Sequence, residues 1–164
     1  MIFILMLIAA STALWPSAQA DWPVGKKMKL AVVLEPRSNK QGIGEDFDAA
    51  VRITSIDKVG LDPAMSFTRG ISLHVSTIDE IPVSPVFPPA GSPPTPPITD
   101  TTYLTKVGHE KPMFVKLKEN PRTIFPGAGR YRVRAIVSVF DWRHKPVRYE
   151  QFTSPSVIID VSNS

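Results

Sequence analysis

The chain contains no cysteine. Disulfides, thiolate metal ligands and thiol nucleophiles are excluded together, so stability has to come from packing. Histidine is scarce: His74, His109 and His144 are each isolated, with no two at i, i+2 or i, i+4. Local structure therefore cannot aim two imidazoles at one ion, and no metal site or cofactor is predicted. There is no G-x-S-x-G elbow, no S-x-x-K and no glycine-rich phosphate loop, since Gly42-Ile43-Gly44 is too short for one. Asp79-Glu80 and Glu45-Asp46 are sequence neighbours, which a strand would point to opposite faces. Nothing here points to catalysis.

An apolar run long enough to cross a bilayer, about 20 residues, is also missing. What exists is a run of about 13, Ile2 to Leu14, followed by Trp15-Pro16 and the small-residue triplet Ala18-Gln19-Ala20. This pattern predicts a signal peptide over residues 1–20, cleavage after Ala20 and a domain over 21–164. No Lys or Arg precedes the run, whereas Lys26, Lys27 and Lys29 follow it, opposite to the usual charge order. Without cysteine the processed chain has no N-terminal lipid anchor, and it is not expected to span a membrane. No N-x-S/T acceptor is usable: Asn39 and Asn120 lack the third residue, and Asn163 stands next to the last position. An exported domain without disulfides or acceptors fits a bacterial periplasm, or the medium beyond it, better than a eukaryotic secretory route.

The 164 residues, 43% hydrophobic and 21% charged, suit one folded domain. Period-2 alternation recurs and helical periodicity does not. Lys29 to Leu34 reads as a short strand stopped at Glu35-Pro36, and Asn39 to Asp46 as a loop. Phe47, Ala49, Val51 and Ile53 alternate with Asp48, Arg52 and Thr54, the pattern of a half-buried strand. After a turn at Gly60-Leu61-Asp62-Pro63, Ile71, Leu73 and Val75 form a third. Eight of the seventeen prolines lie between Pro82 and Pro97, so residues 82–98 are predicted to be a long Pro-rich loop, a connector or a ligand for an aromatic-lined groove.

The last third alternates most clearly. Phe114 to Leu117 reads as a strand. After Pro126-Gly127-Ala128-Gly129, Tyr131, Val133, Ala135, Val137 and Val139 alternate with Arg130, Arg132, Arg134, Ile136 and Ser138. Asp141 to Pro146 reads as a hairpin loop. The return runs through Val147, Tyr149, Gln151 and Thr153 or the opposite phase, and a break at Ser154-Pro155 re-phases the final strand, Val157, Ile159 and Val161. The segment Pro126-Gly127-Ala128-Gly129-Arg130-Tyr131-Arg132-Val133 resembles the turn into the penultimate strand of immunoglobulin-like and fibronectin-III-like sandwiches. The resemblance covers roughly residues 112 to 162. It implies that the Tyr131 hydroxyl bonds back to the backbone at a sheet corner, and that Val133 takes the core position where antibody-type members carry cysteine. It implies a fold and no function.

The expected architecture is thus all-β: a single immunoglobulin-like antiparallel β-sandwich with a long Pro-rich loop. The expected role is an exported, non-catalytic binding or accessory module of the cell envelope. Its candidate surface is a basic and aromatic face: Arg130, Arg132 and Arg134 on one strand face, with Trp142, Arg143, Lys145 and Arg148, and nearby His144, from the following hairpin. Arginines two apart on a strand repel unless matched. Either Glu150 on the return strand matches them, or the face docks carboxylates or phosphates, as the net charge of +4 permits. The expected partner is an anionic surface or an envelope protein, with no specific nucleic acid. Two rivals are an accessory subunit pairing through an edge strand, and a hydrolase or metal-dependent enzyme whose site forms only in three dimensions.

Overall fold

The fold was analysed in a computed structural model, which describes residues 27–67, 69–83, 103–144 and 147–163. The predicted signal peptide, and all of the Pro-rich loop beyond Val83, lie outside the described residues.

Alternation does become strand. β1 (Leu30–Pro36), β3 (Phe47–Ser55) and β7 (Met113–Glu119) form an antiparallel three-stranded sheet with β3 in the centre. The second sheet is built on β8 (Gly129–Asp141), flanked on one side by β5 (Ile71–Thr77). On its other side β8 pairs first with β10 (Val157–Ser162) and then with β9 (Arg148–Thr153), while β2 (Lys40–Gly42) extends the sheet beyond β10. A third, small sheet joins β4 (Val59–Leu61) to β6 (Thr105–Val107).

The inner faces of the two larger sheets share one core. Val32, Leu34, Phe47, Val51, Ile53 and Leu117 come from one side, and Leu73, Val75, Val133, Ala135, Val137 and Ile159 from the other. Fully burying each such side chain contributes about 1.5–3 kcal/mol, except for the smaller Ala135. The molecule is therefore an all-β sandwich.

Two details depart from the sequence reading. The Asn39–Asp46 stretch is not all loop: Lys40, Gln41 and Gly42 run parallel to Asp160, Val161 and Ser162, so the sandwich is not wholly antiparallel. Three residues are too few to display an alternation, and the buried Gln41 amide stabilises the bend by donating to the carbonyls of Gly42 at 2.9 Å and Glu45 at 3.0 Å. Gly60-Leu61 belongs to β4 rather than to a turn. The bend follows it, where the Asp62 carboxylate accepts from the Ala64 N–H at 2.9 Å. Of the two phases open for the return strand β9, the inward one is that of Phe152, which lies opposite Val137.

The Ser154-Pro155 break has a clear physical basis. β9 and β10 lie along the same edge of β8, and Ser154 spans the gap between them. Its N–H donates to the Ala135 carbonyl and its hydroxyl accepts from the Ala135 N–H, both at 2.9 Å. Pro155 has no N–H to contribute, so the Ser154 N–H and hydroxyl together carry the ladder across the break.

The corner before β8 is pinned from two directions. Asn120 caps a single helical turn, α1 (Pro121–Ile124), by accepting from the Arg122 N–H at 3.0 Å. This drives Ile124 and Phe125 into the core, where Phe125 meets Phe47 edge-on at 5.8 Å and Tyr131 at 5.2 Å. The Tyr131 hydroxyl donates to the Gly127 carbonyl at 3.0 Å, and Val133 is fully buried two residues later.

Candidate functional site

Even-numbered residues of β8 form the outer face of the five-stranded sheet, because the odd ones, from Tyr131 to Asp141, are all buried. Arg130, Arg132 and Arg134 stand there in a row. Register decides their partners. Asp160 lies opposite Arg130, and the two form an ion pair at 3.1 Å. The Nε of Arg132 donates to the Ile78 carbonyl at 3.0 Å, and among the described residues no carboxylate comes within ion-pair distance of this guanidinium. Arg134 lies opposite His74 and reaches Glu80 at 3.6 Å. Glu80 has φ of 63°, a left-handed conformation that side chains rarely adopt, in a turn closed by the Thr77 and Ile81 backbones.

The expected match with Glu150 is not made. Glu150 lies opposite Val139, on the inward phase, and its charge acts on Arg143 instead. Arg143 itself is not a surface residue: its side chain is 3% exposed. Its Nε donates to one Asp141 oxygen at 2.7 Å and its Nη2 to the other at 2.6 Å, and its backbone N–H adds a third bond at 3.1 Å. Asp141 continues the inward phase of β8, so the alternation itself delivers a carboxylate to the core, and the nearest cation follows it in. That signal, an acidic residue on an apolar phase, was present in the sequence.

Burial alone pushes the Asp141 carboxyl up. The side-chain and backbone hydrogen bonds from Arg143, its charge and that of His144 outweigh this and hold the carboxyl below its ordinary value. Arg143 is raised, chiefly by its bond to Asp141. His144 stands 3.5 Å from the same carboxylate. Arg143 Nη1, His144 Nε2 and Glu150 Oε2 are buried without a hydrogen-bond partner.

Of the other expected residues, Arg148 is exposed at the start of β9, opposite Asp141, and Lys145 lies outside the described residues. Trp142 is half-buried rather than displayed at a hairpin tip, packing 6.2 Å from the Phe140 ring. It borders a mostly apolar pocket of about 30 Å³ with Leu61, Met65, Gly70, Leu104 and Phe140. Gly70 is required there: its φ is +85°, and a Cβ would lie 2.8 Å from the Ser138 carbonyl oxygen.

Sequence reasoning missed two features. One is a polar cleft of about 460 Å³ where Arg37, Lys40 and Lys118 face Glu45, Asp46 and Asp48. Two of its ion pairs, Arg37–Asp48 at 3.5 Å and Lys118–Asp46 at 3.1 Å, are solvent-exposed. The other is an aromatic group at the far end of the outer sheet face, where Phe140 lies opposite Tyr149 with rings 5.6 Å apart. The period-2 pattern showed both residues, but only pairing brings them together. Among the described residues no three His, Asp or Glu side chains converge as a metal site, and no helix is long and apolar enough to cross a membrane.

The fold and this face define a class: an all-β sandwich presenting a broad outer sheet, arginine-rich at one end and aromatic at the other. No family model matches the chain, and no curated protein matches it in sequence. Among solved structures it is similar to a CARDB domain from Pyrococcus furiosus, crystallised in complex with di-metal ions. That similarity has a TM-score of 0.37 at 12% identity and covers 85% of this chain and 92% of that one.

Proposed function

We propose that the chain is an immunoglobulin-like module, exported to the periplasm or beyond, that works by binding an anionic partner on the outer face of its five-stranded sheet. The observation carrying this reading is Arg132. It sits in mid-face between the Arg130–Asp160 and Arg134–Glu80 pairs, its Nε is anchored to a carbonyl, and its charge meets no carboxylate among the described residues. A guanidinium held rigidly on a sheet has already lost most of the rotamer freedom that binding would cost it, and its remaining N–H groups suit a bidentate oxyanion. The Tyr131 to Gly127 bond and the seating of β2 parallel to the last strand support the immunoglobulin-like part.

Replacing Arg130, Arg132 and Arg134 together with Ser is expected to leave the circular dichroism spectrum unchanged and to weaken retention on a carboxylated matrix at low salt. Unchanged retention discards the reading. A second reading, an accessory subunit joined through an edge strand, is favoured by β7. Among the described residues β7 pairs only with β3, and it carries Phe114 at 55% exposure.

A further inference from the structure

The outer face of β8 is banded. At one end stand Arg130, Arg132 and Arg134. In the middle stand Ser138 of β8 and Gln151 and Thr153 of β9, and at the other end Phe140 and Tyr149, with Trp142 beside them. From Arg132 to Phe140 the strand advances about 27 Å at roughly 3.4 Å per residue. The three bands are therefore too far apart for one small ligand and lie along a single line.

The middle band is pre-ordered. The Gln151 amide donates to the Ser138 hydroxyl at 3.2 Å and to the Tyr149 hydroxyl at 3.1 Å. Each hydroxyl thus accepts from the amide and keeps its own proton to donate elsewhere. Tyr149 is 39% exposed, and Ile158 opposite Arg132 is 38% exposed, so apolar surface accompanies the donors along the face.

Charge density selects among linear anions. Two of the three arginines already have carboxylate partners, Asp160 and Glu80, which repel a ligand carrying a charge on every unit. A nucleic acid backbone or a polyphosphate calls for several unneutralised cations along its length, and this row offers Arg132 alone. A chain with sparse charge, many hydroxyls and apolar ring faces meets all three bands: a carboxylate for Arg132, sugar hydroxyls for Ser138 and Tyr149, and C–H faces for the aromatic rings. The rings of Phe140 and Tyr149 are inclined at 58°, and those of Phe140 and Trp142 at 53°. Tilted rings cup a single strand better than they cover a flat crystalline surface.

Resting on the anion-docking reading above, we infer that the ligand is a single-chain acidic polysaccharide laid along β8. Its uronic-acid carboxylate sits on Arg132 and its sugar rings lie against Tyr149 and Phe140. The test measures binding of the full chain, by titration calorimetry at low salt, to a hyaluronan octasaccharide, in which carboxylates alternate with neutral sugars. A neutral dextran oligosaccharide, oligo-dT and polyphosphate serve as comparison ligands.

The expected result is that hyaluronan binds most tightly. Tyr149→Ala and Arg132→Ser should each weaken it at least tenfold, while Tyr149→Phe, which keeps the ring and loses one hydroxyl contact, weakens it less than Tyr149→Ala. If oligo-dT or polyphosphate binds as well as hyaluronan and Tyr149→Ala changes nothing, the polysaccharide inference falls while the anion-docking face stands. If hyaluronan fails to bind although another anion is retained, the inference also falls. If no anion binds, both readings fall together. A circular dichroism spectrum of Tyr149→Ala matching the parent keeps the comparison one of binding.

Discussion

Two arginines of one hairpin, Arg130 at its start and Arg143 at its bend, each pair with an aspartate, and the pairs do different work. Arg130 and Asp160 meet on the open sheet face with side chains 63% and 52% exposed. Arg143 and Asp141 meet in the core at 3% and 0%. In water the attraction is small and salt screens it, so the outer pair contributes little to stability. In the core the same two groups have been stripped of solvent, and each is tolerable only because of the other. Chemistry alone does not separate a docking arginine from a structural one; solvent does.

The sharpest way to break this comparison is Arg143→Ala, which leaves the buried Asp141 carboxylate without its guanidinium. It should cost about 3–5 kcal/mol in chemical denaturation, and a loss below 1 kcal/mol would mean that water reaches the pair. The same site governs acid sensitivity. The Asp141 carboxyl is held below its ordinary value in the folded chain, so its contribution is fully present above the unfolded value of about 3.9. It is lost as pH falls through the lower folded value. Parent and Asp141→Asn unfolding curves, compared across that range, should converge on acidification; a gap that widens would reverse the sign.

Tyr131→Phe removes the bond to Gly127 and keeps the ring against Phe125. The expected loss is about 1 kcal/mol, read as a shift in denaturation midpoint with unchanged slope. Smallest of all is Arg130→Ser, expected within about 1 kcal/mol of the parent, a difference that added salt reduces further. A larger loss would show that the outer face is structural.

Much of the sandwich was legible because burial on one side of a strand writes itself into every second residue. From Tyr131 to Val139 the inward phase reads directly, and the Ser154-Pro155 break announces the re-phasing of β10. β2, β4 and β6 were not legible: at three residues each they have no period to detect, and their stability comes from partners far along the chain. The arginine row was visible in the sequence, but the identity of its partners was not. Asp160, Glu80 and the Ile78 carbonyl lie 30 to 54 residues away from the arginines they meet. Glu150, the acid on the return strand, turned inward because Phe152 had to reach the core and both share a phase.

By itself, the amino-acid order settled which side chains of each long strand face inward, since alternate residues leave an extended backbone in opposite directions and apolar ones avoid water. It also settled that packing, without crosslinks, holds the domain together. Which strands became neighbours, and so which arginine was neutralised, which was buried and which was left open beside Ile158, was decided only by the assembled sheets. Strand register is a property of two distant segments at once, and no local pattern carries it.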